Sequence, residues 1–266
     1  MAYLVTVKSA VTRLGSLSID LVEELGRIFV FFLNGVVMFF HLPLQVGKTI
    51  QQVYFIGMKS IFVICLTGAF TGMVLGLQGY YVLVQYGSTG ALGSAVALSL
   101  IREMGPVLTA IMVIARAGSA MAAEIGIMRI SEQIDALETM DINPIRFLIS
   151  PRIIAALISF PLLTALFDVV GILGGYLTGS MLLGANPGIY FSRVESSVVM
   201  KDVNVGFIKS VAFAAVVVTI CCFQGYYTHT RGEFGAKGVS QSTTSAVVIS
   251  CVLILIADYV LTSILL

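Results

Sequence analysis

The sequence has very few charged residues. Asp, Glu, Lys and Arg make up 11% of the 266 residues, whereas a soluble domain usually carries about 25%. Hydrophobic residues account for 58%, so little of the surface can be in contact with water. This composition excludes an ordinary soluble domain and predicts an integral membrane protein. The formal net charge of +1 gives no support for a nucleic-acid partner.

Several residue types and motifs that carry chemistry are also missing. The four cysteines lie in apolar runs without a Cys-x-x-Cys spacing, which argues against a zinc site or a disulfide framework. Tryptophan is absent, so any aromatic belt must consist of Tyr and Phe. Gly47-Lys48-Thr49 is no phosphate-binding loop, because Leu42 replaces the glycine required five residues before Gly47. We therefore expect no metal and no cofactor, and any ATP is expected on another protein.

Five segments are long and apolar enough to cross the hydrocarbon core of a bilayer, which is about 30 Å thick. They cover approximately Lys59 to Leu77, Ala95 to Ile127, Phe147 to Met181, Val205 to Tyr227 and Thr243 to Leu266. Glycines four residues apart in two of them allow another helix to approach closely; these are Gly68, Gly72 and Gly76, and Gly171, Gly175 and Gly179. The sequence predicts an all-α polytopic membrane protein.

The apolar run before the first span is too short to cross a membrane. Ile28 to Phe40 covers 13 residues and includes Asn34 and Gly35, a pattern typical of a helix that lies at the membrane interface. We therefore assign residues 1–50 to an amino-terminal membrane-surface segment and residues 51–266 to the transmembrane domain.

Basic residues are concentrated in alternate loops, which predicts the orientation of the chain in the membrane. The basic residues of the enriched segments are Lys8, Arg13, Arg27, Lys48, Arg129, Arg146, Arg152, Arg231 and Lys237, and those of the other loops are Arg193 and Lys201. The amino terminus and the loops 128–150 and 228–242 are therefore expected in the cytoplasm, and the carboxyl terminus on the opposite side.

A short charged segment, residues 131–141, follows the second span. Apolar and acidic residues each recur there every three positions, which predicts a short helix with two stripes: Ile134, Leu137 and Met140, and Glu132, Asp135, Glu138 and Asp141. We expect Ser131 to cap this helix and Asn143-Pro144 to end it. The segment is either a solvated connecting turn or a coupling helix that a cytoplasmic partner receives.

Ionisable side chains within the spans cost about 2.5–3.5 kcal/mol each at mid-bilayer, and here they are Arg102, Glu103, Arg116, Asp168 and Asp258. Arg102 and Glu103 are adjacent and point about 100° apart on a helix, so each needs another partner. They are either structural ion pairs between helices, or Arg102 binds an anionic headgroup while Glu103 orients it.

Several motifs resemble the MlaE/YrbE-type permeases, the membrane subunits of ABC transporters that move phospholipid between the inner and outer membranes of Gram-negative bacteria. They are GMVLGLQGY (Gly72 to Tyr80), ALSLIREMGPVLTAIMVIARAGSAMAAEIGIM (Ala97 to Met128), the pair Glu132-Gln133, and ISPRIIAALISFPLLT (Ile149 to Thr164). The resemblance extends from about Val53 to the carboxyl terminus.

The resemblance implies a homodimer in the cell inner membrane, with an interfacial amino-terminal helix and five spans in each copy. It also implies a cytoplasmic ABC ATPase that binds the ATP, a STAS-domain protein and a periplasmic MCE-domain protein. The residues implied for the phospholipid cavity are Leu75, Val82, Leu83, Tyr86, Arg102 and Glu103. Those implied for the coupling helix are Glu132, Gln133, Asp135, Leu137, Glu138 and Met140.

Two other classes of function are weighed against this one. An intramembrane enzyme is disfavoured, because no Gly-x-Ser-x-Gly motif is present and the two histidines, His41 and His229, lie at predicted membrane edges. An ATP-independent channel or secondary carrier is the remaining alternative, and it would transport without an ATPase.

Overall fold

The computed structural model describes Ile19 and residues 22–38, 45–228 and 235–265. Every regular element in these ranges is a helix, so the all-α prediction is confirmed. Five helical segments are long and apolar enough to cross a membrane, namely Val46–Gln85, Thr89–Ile130, Ile145–Leu182, Met200–Tyr226 and Ala236–Leu265. The protein is therefore a multi-pass membrane protein with the predicted number of spans.

The helices are, in chain order, α1 (residues 22–38), α2 (Val46–Ile56), α3 (Ile61–Gln85), α4 (Leu92–Ser99), α5 (Gly105–Val113), α6 (Ser119–Ile130), α7 (Gln133–Thr139), α8 (Ser150–Tyr176), α9 (Pro187–Ser197), α10 (Met200–Tyr226) and α11 (Ala236–Leu265). Wider π-helical turns interrupt the second and third spans at Leu100–Met104, Ile114–Gly118, Ile145–Ile149 and Leu177–Leu182. The proposed domain boundary at residue 50 falls inside α2.

The first span extends further than the sequence suggested. The first span was predicted to end near Leu77, but α3 continues to Gln85. No proline interrupts this stretch, and the helix ends only where Gly87 adopts a left-handed conformation, φ 64°, which glycine tolerates without a steric penalty.

The two glycine rows predicted to support close packing face each other between α3 and α8. A Cβ atom at Gly72 would lie 1.8 Å from the carbonyl oxygen of Gly171, and one at Gly76 would lie 2.8 Å from that of Gly175. Lipid tails are as apolar as the helix surfaces, so close van der Waals packing of small residues drives association of the helices. The backbones of α3 and α8 touch here, which confirms the predicted role of Gly68, Gly72, Gly76, Gly171 and Gly175. Gly179 lies beyond α8 and faces the side chain of Leu92 instead.

The substitution Gly72→Ala is expected to destabilise the protein, because the added methyl group must push backbone against backbone. Overpacking of this kind typically costs about 1–3 kcal/mol, and the change should appear as a lower melting temperature of the purified protein. Gly47→Ala is the control, because a Cβ at Gly47 in α2 meets nothing within 4 Å. Equal melting temperatures for both variants would contradict the close packing.

Helix α1 is fastened to the bundle along one side. The Ser150 hydroxyl donates to the carbonyl of Gly35 at 2.6 Å, and the buried Phe31 ring packs edge-on against Phe223 with centroids 5.6 Å apart. Phe29 and Val30 on the other side are exposed. This one-sided packing agrees with the predicted interfacial helix, of which residues 39 and 40 lie outside the described part of the chain.

The second half of the second span is rich in small residues and packs against α10. A Cβ at Gly225 would lie 2.7 Å from the carbonyl oxygen of Ala122, and one at Gly118 would lie 2.9 Å from Sγ of Cys221. Ala117 and Ala122 are fully buried, whereas Ala115 is exposed. Only one side of this segment therefore contacts protein.

Helix α9 connects the third and fourth spans and is held firmly at its start. Asn186 Oδ1 accepts hydrogen bonds from the backbone N–H groups of Gly188 at 2.9 Å and Ile189 at 3.3 Å, as expected of an N-cap. The Tyr190 hydroxyl donates to the carbonyl of Ile172 at 3.0 Å. Burial raises the pKa of Tyr190, so its phenol remains a neutral donor.

Candidate functional site

A network of charged side chains joins the second, fourth and fifth spans. Lys209 of α10 is fully buried, and its Nζ lies 2.7 Å from Oε2 of Glu103 and 2.9 Å from Oδ1 of Asp258. The same ammonium also contacts Oγ1 of Thr262 at 2.7 Å and the carbonyl oxygen of Arg102 at 2.9 Å. An ammonium has three protons, so these four acceptors share three donors.

The local sequence explains why the Arg102 carbonyl accepts this bond. Pro106 has no N–H group to donate to the carbonyl four residues earlier in the chain. The Leu100–Met104 segment also widens into a π-helical turn, of a kind often found at functional sites. Lys209 supplies the donor that proline cannot.

Arg102 is held by an acid that the sequence analysis did not single out. Its Nε and Nη2 lie 2.9 and 2.8 Å from Oδ1 of Asp202. Asp202 Oδ2 also accepts from the backbone N–H of Val199 at 3.2 Å. The expectation that Glu103 orients Arg102 is therefore wrong, because Glu103 points to Lys209 and Asp202 fixes the guanidinium. The expectation that adjacent Arg102 and Glu103 each have a different partner is confirmed.

Two of these residues carried signals that could have been noticed. Lys209 is an ionisable residue within the apolar run Val205 to Tyr227, a position that marks a functional or paired group. Asp202 lies in the first turn of α10, where an acid stabilises a helix. Lys201 and Asp202 are the beginning of the fourth span and do not belong to a loop.

The other ionisable residues flagged in the spans differ in their pairing. Arg116 donates to the Phe55 carbonyl and, at 2.8 Å, to Oγ of Ser60, so it is held by hydrogen bonds and forms none of the expected ion pairs with the described residues. Asp258 is paired through Lys209. Asp168 differs from them, because its Oδ1 is buried and makes no hydrogen bond with any described residue.

Of the four first-span residues implied for the phospholipid cavity, Leu75, Val82 and Tyr86 lie along one flank of α3 and at its end, whereas Leu83 points about 100° away from Val82. Leu75, Val82 and Tyr86 are seven and four residues apart, so they point within about 40° of one another. Val82 and Tyr86 are 54% and 79% exposed, whereas Leu75 and Leu83 also pack against the core. The flank is therefore apolar and open over its second half.

Within a single chain, Arg102 and Glu103 form no hydrogen bond or ion pair with the described residues of this flank. Within the described residues, their hydrogen bonds and ion pairs go to Asp202, Lys209 and Thr262 and to none of the four α3 residues. Their side chains are 37% and 39% exposed, so both retain an accessible side.

The short helix predicted within residues 131–141 is present as α7. It packs against the rest of the protein through part of its apolar stripe. Ile134 is fully buried and Leu137 packs against the core, but Met140 is 68% exposed. Asp135 pairs with Arg129 at 2.7 Å, and Glu138 accepts from the Tyr226 hydroxyl at 3.4 Å. Of the residues implied for the coupling helix, Glu132, Gln133 and Met140 are exposed and form no side-chain hydrogen bond or ion pair with the described residues. Ala136, Thr139 and Asp141 of the same segment are also exposed.

Both predicted ends of this helix are wrong. The Ser131 hydroxyl donates back to the carbonyl of Ile127 at 2.8 Å, a competing local bond that serine readily forms. Glu132 instead precedes α7 in a left-handed conformation, φ 57°. The helix ends at Thr139, and Asn143 starts the next segment, because its Oδ1 accepts from the N–H groups of Ile145 and Arg146.

The chain is similar to known permeases over nearly its whole length. The family model described as Permease MlaE matches residues 49–264. A probable ABC transporter permease protein of Rickettsia bellii is 40% identical over 249 residues, which cover 94% of this chain and 95% of the relative.

Two further relatives come from distant organisms. The intermembrane phospholipid transport system permease protein MlaE of Haemophilus influenzae is 41% identical over 259 residues, 96% of each chain. The chloroplastic protein TRIGALACTOSYLDIACYLGLYCEROL 1 of Arabidopsis thaliana is 40% identical over 216 residues, 81% of this chain and 61% of the relative. The fold with five membrane-spanning segments and these matches together show that this chain belongs to the MlaE permease family.

Proposed function

We propose that this protein is the permease subunit of an ABC transporter that moves phospholipids between the inner and outer membranes and so maintains outer-membrane lipid asymmetry. The Haemophilus relative bears the name of such a permease and is similar from end to end. We place the protein in the cell inner membrane, with its amino terminus in the cytoplasm and its carboxyl terminus in the periplasm. Of the basic residues behind this orientation, Lys8, Arg13 and Arg231 lie outside the described residues.

The observation that carries the proposal is the open apolar flank of α3 in a protein that also presents a half-exposed guanidinium. Two acyl chains need an apolar cleft, for which Leu75, Val82 and Leu83 supply side chains. A phosphate needs a cation and hydrogen-bond donors, which Arg102 and Tyr86 can provide. We assign Glu103 to the same site as the acid that keeps Lys209 in place.

A second copy of the chain would complete this cleft. Of the most apolar stretch of each span, 67% is buried for the fourth span but only 28% for the first and 11% for the fifth. The first and fifth spans thus have their apolar sides open in a single chain. We propose a homodimer in which these sides enclose the lipid, and the Gly-lined contact of α3 with α8 keeps each half rigid.

We propose that the energy for transport comes from a separate cytoplasmic ABC ATPase, which binds the ATP and docks on α7. The exposed Glu132, Gln133 and Met140 offer it an acidic and apolar surface, while Asp135, Leu137 and Glu138 fix α7 to the permease. A STAS-domain protein and a periplasmic MCE-domain protein are the other proposed partners. The permease itself performs no enzymatic reaction in this scheme.

The experiment that tests the cleft places a photo-crosslinking amino acid at Val82, Tyr86 or, as a control, Phe62. Phe62 is 74% exposed and lies about 160° around α3 from Val82, so it should meet ordinary bilayer lipid. Lipid capture at Val82 and Tyr86 is expected to change several-fold when the ATPase is trapped with nucleotide, whereas capture at Phe62 should stay constant.

Two results would count against the proposal. If trapping the ATPase with nucleotide changes lipid capture equally at all three positions, the lipid cleft does not lie along α3. Lipid transfer by reconstituted permease in the absence of any ATPase would favour the channel or secondary carrier instead.

A further inference from the structure

A cavity of about 210 Å³ lies between the second, third and fourth spans, and none of its lining residues belongs to α3. Most of its wall is apolar. Its polar lining residues are Thr164 and Asp168 of α8, one helical turn apart, and Ser210 of α10. Ile101 and Gly206 also line it, so the cavity lies beside the network of Arg102 and Lys209 but does not include that network.

Two polar atoms that line this cavity are buried without a hydrogen-bond partner among the described residues, as are Thr109 Oγ1, Ser159 Oγ and Ser180 Oγ elsewhere in the spans. Thr164 is 4% exposed, and its Oγ1 makes no hydrogen bond with any described residue. By contrast, Thr67, Thr178 and Thr219 all donate to the carbonyl four residues earlier. The Asp168 Oδ1 is likewise without a hydrogen-bond partner among the described residues.

Asp168 also lacks the cation that accompanies the other acids of the spans. Glu103 and Asp258 share Lys209, Asp202 holds Arg102, and Glu124 holds Arg152 at 2.9 Å. No ion pair joins Asp168 to a described residue. An acid in a span is costly, and positions of this kind are typically functional.

The backbone around the carboxylate leaves space for it. A Cβ at Gly105 would lie 1.9 Å from Oδ1 of Asp168, so a larger residue at that position of α5 would displace the carboxylate. Ser210 donates its hydroxyl proton to the Phe207 carbonyl at 2.7 Å, which leaves the lone pairs of its oxygen available as acceptors. The cavity therefore offers a carboxylate and two hydroxyl oxygens that can accept hydrogen bonds.

The cavity opens to the outside of the bundle near the end where α10 begins. Val169, Val203 and Phe207, which form its rim, are 57%, 44% and 57% exposed. Val203 and Gly206 lie three and six residues after Met200, about 5 and 9 Å along the helix. Because this rim is exposed, the headgroup of a bilayer lipid can reach the cavity between α8 and α10.

We propose that this cavity is a second lipid site, which binds the primary ammonium group of an aminophospholipid that enters between α8 and α10. The ammonium has three donors and one positive charge, which match the two hydroxyl oxygens and the unpaired carboxylate of Asp168. A trimethylammonium headgroup is larger and has no N–H donor. A headgroup without a cation would place its phosphate near the carboxylate with nothing to offset the repulsion.

The test uses the full chain purified in detergent and three photoreactive phospholipids with identical acyl chains. Their headgroups are ethanolamine, choline and glycerol, and crosslinked peptides are located by mass spectrometry. The ethanolamine probe is expected to label the rim around Val169 and Phe207 about tenfold more strongly than the other two, as befits a charge-assisted hydrogen bond. This comparison needs no substitution, so it does not depend on a variant that folds.

Two variants then ask whether the proposed acceptors cause the preference. Asp168→Asn should lower ethanolamine labelling to the choline level, and Thr164→Val should lower it in part. Glu195→Gln removes a carboxylate from the exposed surface of α9 and should change nothing. Equal labelling by all three probes in the wild-type protein, preferential labelling by the glycerol probe, or an undiminished ethanolamine preference in Asp168→Asn would overturn the proposal.

The assay contains neither ATP nor an ATPase. A negative result would therefore remove the second site and leave the proposed transport function as it stands. Failure of ATP-dependent transport would likewise leave an ethanolamine preference at this cavity intact.

Discussion

Replacing Lys209 with Met is expected to be among the most damaging single substitutions in the transmembrane domain. The methionine has a similar length but leaves Glu103 and Asp258 without their shared cation. Breaking a buried ion pair by removing one partner costs about 3–5 kcal/mol. We expect a large fall in the melting temperature of the purified protein and loss of lipid transport.

The matched control is Lys201→Met, which removes an exposed lysine from the same helix and should leave the melting temperature unchanged. A triple variant, Lys209→Met with Glu103→Gln and Asp258→Asn, removes the acids together with the cation. Its stability should return close to that of the wild type, because a network neutralised as a whole leaves no buried charge uncompensated. A Lys209→Met protein as stable as the wild type would show that the network does not hold the three spans together.

The second large effect is expected at the cytoplasmic docking surface. Combining Glu132→Lys with Met140→Asp changes two exposed side chains of the α7 segment that form no side-chain hydrogen bond or ion pair with the described residues. If the ATPase docks there, its affinity should fall roughly thirtyfold, which is the loss of a hot spot worth about 2 kcal/mol. The measurement is recovery of the ATPase subunit with affinity-purified permease, together with lipid-stimulated ATP hydrolysis.

The choice of Glu132 and Met140 avoids an ambiguity. Asp135 and Glu138 contact Arg129 and Tyr226, so reversing their charges would disturb the attachment of α7 as well as any partner. Glu195→Lys on α9 serves as the control for a charge reversal on an exposed helix. Unchanged ATPase recovery and ATP hydrolysis in the double variant would exclude this surface as the docking site.

Two kinds of prediction from the sequence, helix packing through glycines and pairing of charged side chains, had different outcomes. The glycine rows of the first and third spans were predicted to support close packing, and they do, because a missing side chain is itself the feature that allows contact. The partner of a charged side chain was harder to infer. Arg102 and Asp202 are 100 residues apart in the sequence, and several acids were available to pair with Arg102.

The ends of α7 show the same limit on a smaller scale. The apolar repeat predicted a helix there, and a short helix is present. Whether Ser131 caps α7 or bonds back to Ile127 depends on the backbone conformation at the junction of α6 and α7. The residue pattern does not determine that conformation. The pattern also did not predict that Met140 is exposed while Ile134 and Leu137, the other residues of the apolar stripe, are covered.

The sequence by itself determined that the protein is helical, crosses a membrane five times and belongs with lipid permeases, because apolar length and local motifs are properties of contiguous residues. Only the tertiary structure decided which charges neutralise one another, which side of α3 stays open and where Asp168 remains without a cation. Those outcomes depend on which helices are neighbours. In a bilayer that choice follows from backbone contacts between small residues and from the need to pair every costly charge, both of which act between segments far apart in the chain.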